Sequence, residues 1–194
     1  ISAAFIPIFT RYRKEGDEEN AWAFANSMMH LMFIGVAVIA GVAYLLAPWL
    51  ARFVGAGFGP EDWATTVRLM RIMLLSPLFF SVAGVFISIQ DSYKHFFFRS
   101  LAPLFYNGGI IFCIVKFGKE FGVMGVTWGV VLGACLHLLI QLPSFFHSGF
   151  HYQRIFTIYH PGVKETVALM APRSLGLGAT QINTITITAI GSTL

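Results

Sequence analysis

The chain has 194 residues, of which 56% are hydrophobic and only 11% are charged, with a formal net charge of +4. Soluble domains contain about one quarter charged residues, so this composition, with a mean hydropathy of +0.71, excludes an ordinary soluble domain and predicts a membrane protein. No basic run is longer than "RYRK", so the positive charge does not indicate a nucleic-acid partner.

Five uncharged stretches of the sequence are candidate membrane spans, because a bilayer core about 30 Å thick needs about 20 apolar helical residues. They are Asn20–Ala51, Ile72–Gln90, Ser100–Val115, Phe121–Gln153 and Ser174–Leu194. The second stretch extends backward through Val67, and the third is lengthened by Phe96, Phe97 and Phe98. None alternates with the period of two expected of a membrane barrel. The sequence therefore predicts an all-α, polytopic transmembrane helical bundle.

Both ends of the chain lie in apolar sequence. It begins without methionine at "ISAAFIPIF", which resembles the last turns of an earlier helix, and it stops at Leu194 inside another apolar run. We therefore expect a fragment of a longer protein.

The basic residues of the connections predict the orientation. The chain begins at the end of an earlier helix and continues through five spans, so its connections alternate between the two sides of the membrane. Eight basic residues then lie on one side and five on the other. The richer side includes the "RYRKEGDEEN" connection, which we predict to be cytoplasmic. Within this connection, Asp17 or Asn20 is predicted to cap the first complete span.

No residue pattern indicates catalysis, a metal or a cofactor. Cys113 and Cys135 lie in apolar spans without a Cys/His cluster, which is typical of small buried side chains. Phosphate loops, nucleophile elbows and HExxH patterns are absent from the sequence. We predict no catalytic residues, no metal ligands and no cofactor, and this favours transport or binding over enzymatic activity.

Prolines and polar residues inside the second and third spans are informative, because water cannot satisfy polar groups there. Pro77 allows a bend in the second span. Asn107 follows Pro103 and precedes Gly108 and Gly109, so the third span can bend around a cavity with Asn107 on its wall. A purely structural hydrogen bond is the alternative role for Asn107.

The fourth span carries a stripe of small residues. Gly125, Gly129 and Gly133 recur every fourth residue and predict close packing against another helix. His137 and Gln141 lie one turn apart on that helix, so we expect them to bond to each other or to a neighbouring helix. A proton or substrate role is the alternative.

The segment "MAPRSLGLGATQIN" introduces polar groups into the last apolar run. Pro172 and the following glycines allow a bend, and Arg173 is either an interfacial anchor or a charge within a cavity. Gln181 and Asn183 lie about 12 to 15 Å beyond Arg173 along a helix, near the bilayer midplane if Arg173 is an anchor. The two amides predict a polar interior.

Six motifs occur in an order that resembles one family. They are "SAAFIPIFTRYRKEGDEENAWAFAN", "APWLARF", "TVRLMRIM", "LAPLFYNGGIIF", "GVTWGVVLGACLHLLIQLP" and "MAPRSLGLGATQIN". Together they resemble the MurJ (MviN) family of lipid II flippases, within the superfamily (MOP) that includes the MATE exporters. The resemblance implies a partial MATE-like fold that runs from the end of helix 2 to helix 7, in which residues 1–160 belong to the N-terminal bundle and residues 161–194 begin the C-terminal bundle.

The resemblance also implies an activity and a set of cavity residues. The family moves lipid II, the undecaprenyl-diphosphate-linked peptidoglycan precursor, across the bacterial cytoplasmic membrane by alternating access. Membrane lipids are further expected partners, and family analogy implies coupling to an ion gradient or to the membrane potential. Asn107 and Gln181 match polar cavity positions, and Asn183 and Arg173 complete the predicted substrate-binding set, although many members have a small residue where Arg173 stands. The alternatives are a MATE-like exporter of drugs or other lipid-linked oligosaccharides, a non-transporting membrane scaffold, and an intramembrane enzyme.

Overall fold

The structure is a computed structural model that describes residues 1–54, 59–147, 159–172 and 176, without the side chains of residues 53, 54 and 147. All regular secondary structure in these residues is α-helical. The helices are α1 (Ser2–Lys14), α2 (Glu18–Val54), α3 (Pro60–Met73), α4 (Ser76–Ser92), α5 (Phe97–Phe121), α6 (Val123–Leu139) and α7 (Leu142–His147). Residues 161–172 are also helical.

Four segments of the described chain are long and apolar enough to cross a membrane. They are Glu18–Arg52, Pro60–Ser92, Phe97–Phe121 and Val123–Phe146. They coincide with the first four predicted spans and confirm an all-α, multi-pass membrane protein. The fifth predicted span lies outside the described residues.

Two spans are interrupted next to prolines. Pro77 stands in the first turn of α4, and α3 ends at Met73, four residues before it. Pro143 stands similarly in α7, and α6 ends at Leu139. A proline ring clashes with the carbonyl four residues earlier, so a helix ends there. The second span is thus interrupted next to the proline at which it was predicted to bend, and the fourth span, found at Val123–Phe146, consists of two helices.

Aromatic side chains form a core where α1 ends and α2 begins. We call this part of the structure the inner end of the bundle, because we predict the connection between α1 and α2 to be cytoplasmic. Phe5, Phe9 and Phe24 are fully buried there, together with parts of α4, α7 and the helix at residues 161–172. Asp17 caps α2, because its Oδ1 accepts a hydrogen bond from the backbone N–H of Asn20 at 3.1 Å. Connections predicted for one side of the membrane thus meet at one end of the structure.

The opposite, outer end of α2 is packed more sparsely. Ala47 and Ala51 are buried against Val67 of α3, and the Trp63 indole donates a hydrogen bond to the Pro48 carbonyl oxygen at 3.2 Å. Many apolar side chains of this half of α2 remain exposed, as expected of helix surface that faces lipid or further helices.

Candidate functional site

Close packing of α5 against α6 sets the position of the third span. A Cβ atom on Gly109 would lie 2.8 Å from the Gly133 Cα, and one on Gly129 would lie 2.9 Å from the Cys113 Cβ. Such distances leave room for hydrogen atoms only, so the two backbones are in direct contact. The helix packing predicted from the glycine stripe is confirmed, and its partner is α5.

Asn107 lies on the exposed side of α5, away from this contact. Its side-chain amide donates a hydrogen bond to the Pro103 carbonyl oxygen, four residues earlier in the same helix, at 2.9 Å. No bond to a neighbouring helix is present among the described residues. The side-chain oxygen, a hydrogen-bond acceptor, is therefore displayed on an otherwise apolar surface. Of the two glycines that follow, Gly109 serves packing, and α5 continues as a helix through both of them.

The other predicted cavity residues are Arg173, Gln181 and Asn183. All three lie outside the described residues. Their grouping with Asn107 stays a prediction.

A buried polar cluster joins α4 to the end of α6. Gln90 and Gln141 are both fully buried, and Gln90 Nε2 donates a hydrogen bond to Gln141 Oε1 at 3.3 Å. Gln141 Nε2 in turn donates to the His137 carbonyl oxygen at 2.8 Å and approaches the His137 ring nitrogen Nδ1 at 3.3 Å. The bonding predicted for His137 and Gln141 is confirmed.

Gln90 is the member of this cluster that sequence reasoning missed. It stands at the end of the second uncharged stretch, where a polar residue is ordinarily explained by contact with water. Its side-chain oxygen is buried without a hydrogen-bond partner among the described residues. The sequence does contain a second amide, Gln141, at a similar predicted depth. No local sequence pattern, however, relates residues 90 and 141.

His160 connects the helix at residues 161–172 with α1 and α2. Its ring lies 5.6 Å from the Tyr12 ring and 5.9 Å from the Phe24 ring, between centroids, and the residue is 8% exposed. Nδ1 accepts a hydrogen bond from the Gly162 backbone N–H at 3.2 Å, which places the proton of the neutral ring on Nε2. Burial lowers the pKa of His160, while the Asp17 carboxylate acts to raise it.

Lowering the pH is expected to destabilise this junction. The pKa of His160 is lower in the folded protein than its ordinary value of 6.5, so the unfolded chain takes up the proton first. The contribution of neutral His160 to the free energy of unfolding is complete above about pH 6.5, and it is lost as the pH falls toward the pKa of His160 in the folded protein. Thermal unfolding at pH 7.5 and 5.5 tests this, with His160→Phe as the control that keeps an aromatic ring. Equal pH dependence of the two proteins would contradict the expectation.

The described residues contain no group of three or more His, Cys, Asp or Glu side chains placed to hold a metal ion. Cys113 and Cys135 are free thiols in α5 and α6. The arrangement consists of packed helices with Asn107 exposed on α5 and a buried cluster of Gln90, Gln141 and His137.

These features define a multi-pass helical membrane protein with polar groups inside its spans. Comparison with known families gives a more specific assignment, because the family described as "Lipid II flippase MurJ" matches residues 1–194. The chain belongs to this family, and the predicted resemblance is confirmed.

Individual relatives agree with the family match. A "Probable lipid II flippase MurJ" of Buchnera aphidicola subsp. Acyrthosiphon pisum is 30% identical, over 100% of this chain and 39% of the relative. One of Rhizobium tropici is 29% identical over 98% of the chain and 37% of the relative. The "Lipid II flippase MurJ" of Burkholderia cenocepacia is 27% identical over 100% and 39%. The chain thus spans less than two fifths of the length of these relatives.

Proposed function

We propose that the full-length protein is a lipid II flippase of the bacterial cytoplasmic membrane and not an enzyme. The match of the complete chain to one flippase family carries this proposal. Four apolar spans and the polar groups within them are consistent with a transporter, since moving a lipid headgroup requires a polar path and no covalent step.

The chemistry of the substrate defines what the path must contain. Lipid II has a diphosphate, which favours cationic donors, and a sugar-peptide headgroup, which favours amides and hydroxyls. We propose that Asn107, Gln181 and Asn183 supply amides and that Arg173 supplies a cation, while the isoprenoid tail stays in lipid. Alternating access would then expose these groups to each side of the membrane in turn.

Residues 1–160 and the chain from residue 161 onward are proposed to belong to two different bundles. On this proposal, the ion pair between Arg11 and Glu165 at 2.6 Å is a contact between bundles. Both side chains of the ion pair are about half exposed, so the pair is open to water and to screening by salt. Contacts of this kind are compatible with bundles that move relative to each other.

Depletion rescue tests the proposed function. The full-length gene is expressed in a bacterium depleted of its own lipid II flippase, and labelled lipid II reaching the outer leaflet is measured. Restored translocation and cell-wall synthesis are expected. Normal membrane insertion without restored translocation would contradict the proposal and favour an exporter of other substrates or a scaffold.

Coupling to an ion gradient is part of the same proposal. Moving one elementary charge across 100 mV is worth about 2.3 kcal/mol, enough to bias a transport cycle. Translocation in the rescued cells is expected to fall when an ionophore collapses the membrane potential. The ion is then identified by collapsing the proton and sodium gradients separately.

Replacing Asn107 with alanine is expected to slow translocation without unfolding the protein. The side chain is exposed and bonds only to its own helix, so the stability change should stay within about 0.5 kcal/mol. Loss of one hydrogen bond to the moving headgroup should lower the rate by about fivefold. The measurement is translocation per inserted molecule, with Asn107→Gln as the variant that keeps the amide. If Asn107→Ala translocates lipid II at the parental rate, Asn107 does not contact the substrate and the proposed cavity role is wrong.

A further inference from the structure

An open groove lies between the outer half of α2 and the α3–α4 segment. Its volume is about 670 Å³, and toward its outer end it is lined by Tyr44, Arg68 and Arg71 together with Ala64 and Val67. Small residues of α2, Ala37 and Gly41 among them, form one wall of the remainder. The groove therefore combines two cations with an apolar cleft.

Arg71 is held in place by α2. Its Nε donates a hydrogen bond to the Tyr44 carbonyl oxygen at 3.3 Å, and its guanidinium carbon lies 4.6 Å from the centre of the Tyr44 ring. These contacts occupy one edge and one face of the guanidinium group. The terminal nitrogens of Arg71 have no hydrogen-bond partner among the described residues, and they offer the paired donors that bind phosphate oxygens.

Arg68 adds a second cation to the same groove. It precedes Arg71 by three residues, so the two side chains lie on one face of α3. In the described part of the chain, carboxylates pair with Arg11 and Arg99, and neither Arg68 nor Arg71 forms such an ion pair. The positive charge of the groove is therefore not neutralised by the described protein residues.

Polarity changes along the groove with membrane depth. Tyr44 lies about 10 Å further along α2 than Ala37, toward the outer end. Leu74, Leu75 and Leu78 line the groove on the opposite wall, inward of the arginines. Along α3 and α4, about 30 Å of chain separate Arg71 from Ser92 at the inner end, and the interruption between the two helices makes the straight distance shorter. The arginines thus lie near one membrane surface, with apolar wall beneath them.

We propose that this groove is a binding site for a lipid phosphate: Arg68 and Arg71 bind the phosphate, and the hydrocarbon chain lies between the small residues of α2 and the leucines. A free phosphate ion would use only the arginine end. A membrane phospholipid and a polyprenyl phosphate share the required chemistry. The site does not depend on the proposed transport activity, and its leaflet is the one opposite the "RYRKEGDEEN" connection.

Lipid retention by the full-length protein tests the proposal. The protein is reconstituted with phosphatidylglycerol or with undecaprenyl phosphate, purified, and examined by native mass spectrometry for bound lipid. Arg68→Ala with Arg71→Ala is expected to weaken retention by at least about tenfold, as loss of charge-assisted hydrogen bonds implies. Arg52→Ala is the matched control, because Arg52 lies at the same end, over the Trp63 ring at 5.2 Å, and does not line this groove.

A second pair of variants tests the apolar wall. A Cβ on Gly41 meets no described atom within 4 Å, so Gly41→Leu fills the groove without a backbone clash. Gly35 is equally open on the same helix but does not line the groove, which makes Gly35→Leu the control. Gly41→Leu is expected to reduce lipid retention by about tenfold with both arginines intact, and Gly35→Leu is expected to leave it unchanged.

The outcomes separate the possible sources of the phosphate. Preferential retention of phosphatidylglycerol or of undecaprenyl phosphate supports the site and identifies its lipid class. Equal retention by the arginine variants and Arg52→Ala would overturn the proposal, because the arginines would then be general interfacial anchors. The proposal would also be overturned if inorganic phosphate displaced the bound lipid completely and Gly41→Leu had no effect on retention. The site would then bind a phosphate ion and not a lipid. None of these readouts requires translocation.

Discussion

Gly133→Leu is expected to separate α5 from α6 and to destabilise the protein more than any other single substitution considered. A Cβ at this position would overlap the Tyr106 carbonyl oxygen, which belongs to the backbone of α5 and cannot move aside alone. Overpacking of a core ordinarily costs about 1–3 kcal/mol, and a clash with backbone should reach at least the upper end of this range. The measurement is the thermal unfolding midpoint of the full-length protein in detergent.

Gly108→Leu is the matched control for this prediction. Gly108 is adjacent to the contact residue Gly109, yet a Cβ there meets no described atom within 4 Å. Leucine favours helix by up to about 1 kcal/mol relative to glycine, so stability should stay the same or rise. Similar losses in Gly133→Leu and Gly108→Leu would show that the close approach of α5 and α6 does not decide the stability.

Gln141→Leu is expected to have the second largest effect. It removes the acceptor for Gln90 Nε2 and leaves the Gln90 amide without a partner in a fully buried position. An unsatisfied buried polar group costs about 1–3 kcal/mol. The change is measured as a lower unfolding midpoint under the same detergent conditions.

The double variant Gln90→Leu with Gln141→Leu distinguishes pairing from size or shape effects. It removes both partners, so much of the stability lost in Gln141→Leu should return. Coupling energies between polar groups inside membrane proteins average about 0.6 kcal/mol and reach about 1.7 kcal/mol. Additive losses in the double variant would show that the two amides do not stabilise each other.

Fold class and span positions were predictable because they depend on local properties. A run such as Phe97–Phe121 is apolar enough by itself to require a bilayer, whatever it contacts. Pro77 also acts locally, since its ring excludes the carbonyl four residues earlier. The break at Pro143 follows the same rule but was missed, because hydropathy continues across it and reveals no interruption.

The candidate site was predictable only as a set of residue types. Asn107 was identifiable as a polar group at membrane depth, but its bond to Pro103, rather than to another helix, required the structure. No local pattern in the sequence related Arg68 and Arg71 to α2. Their position opposite Tyr44 depends on how α2 and α3 pack.

Composition and hydropathy were enough to define a multi-pass helical membrane protein, and the order of the motifs was enough to define its family. The sequence also showed that α6 has a smooth face, because four-residue spacing aligns Gly125, Gly129 and Gly133. That this face meets α5, that Gln90 pairs with Gln141 and that two arginines share a groove became visible only in the folded structure. Apolar content and helical period are properties of one segment, whereas pairings between residues 51 positions apart depend on the packing of whole helices.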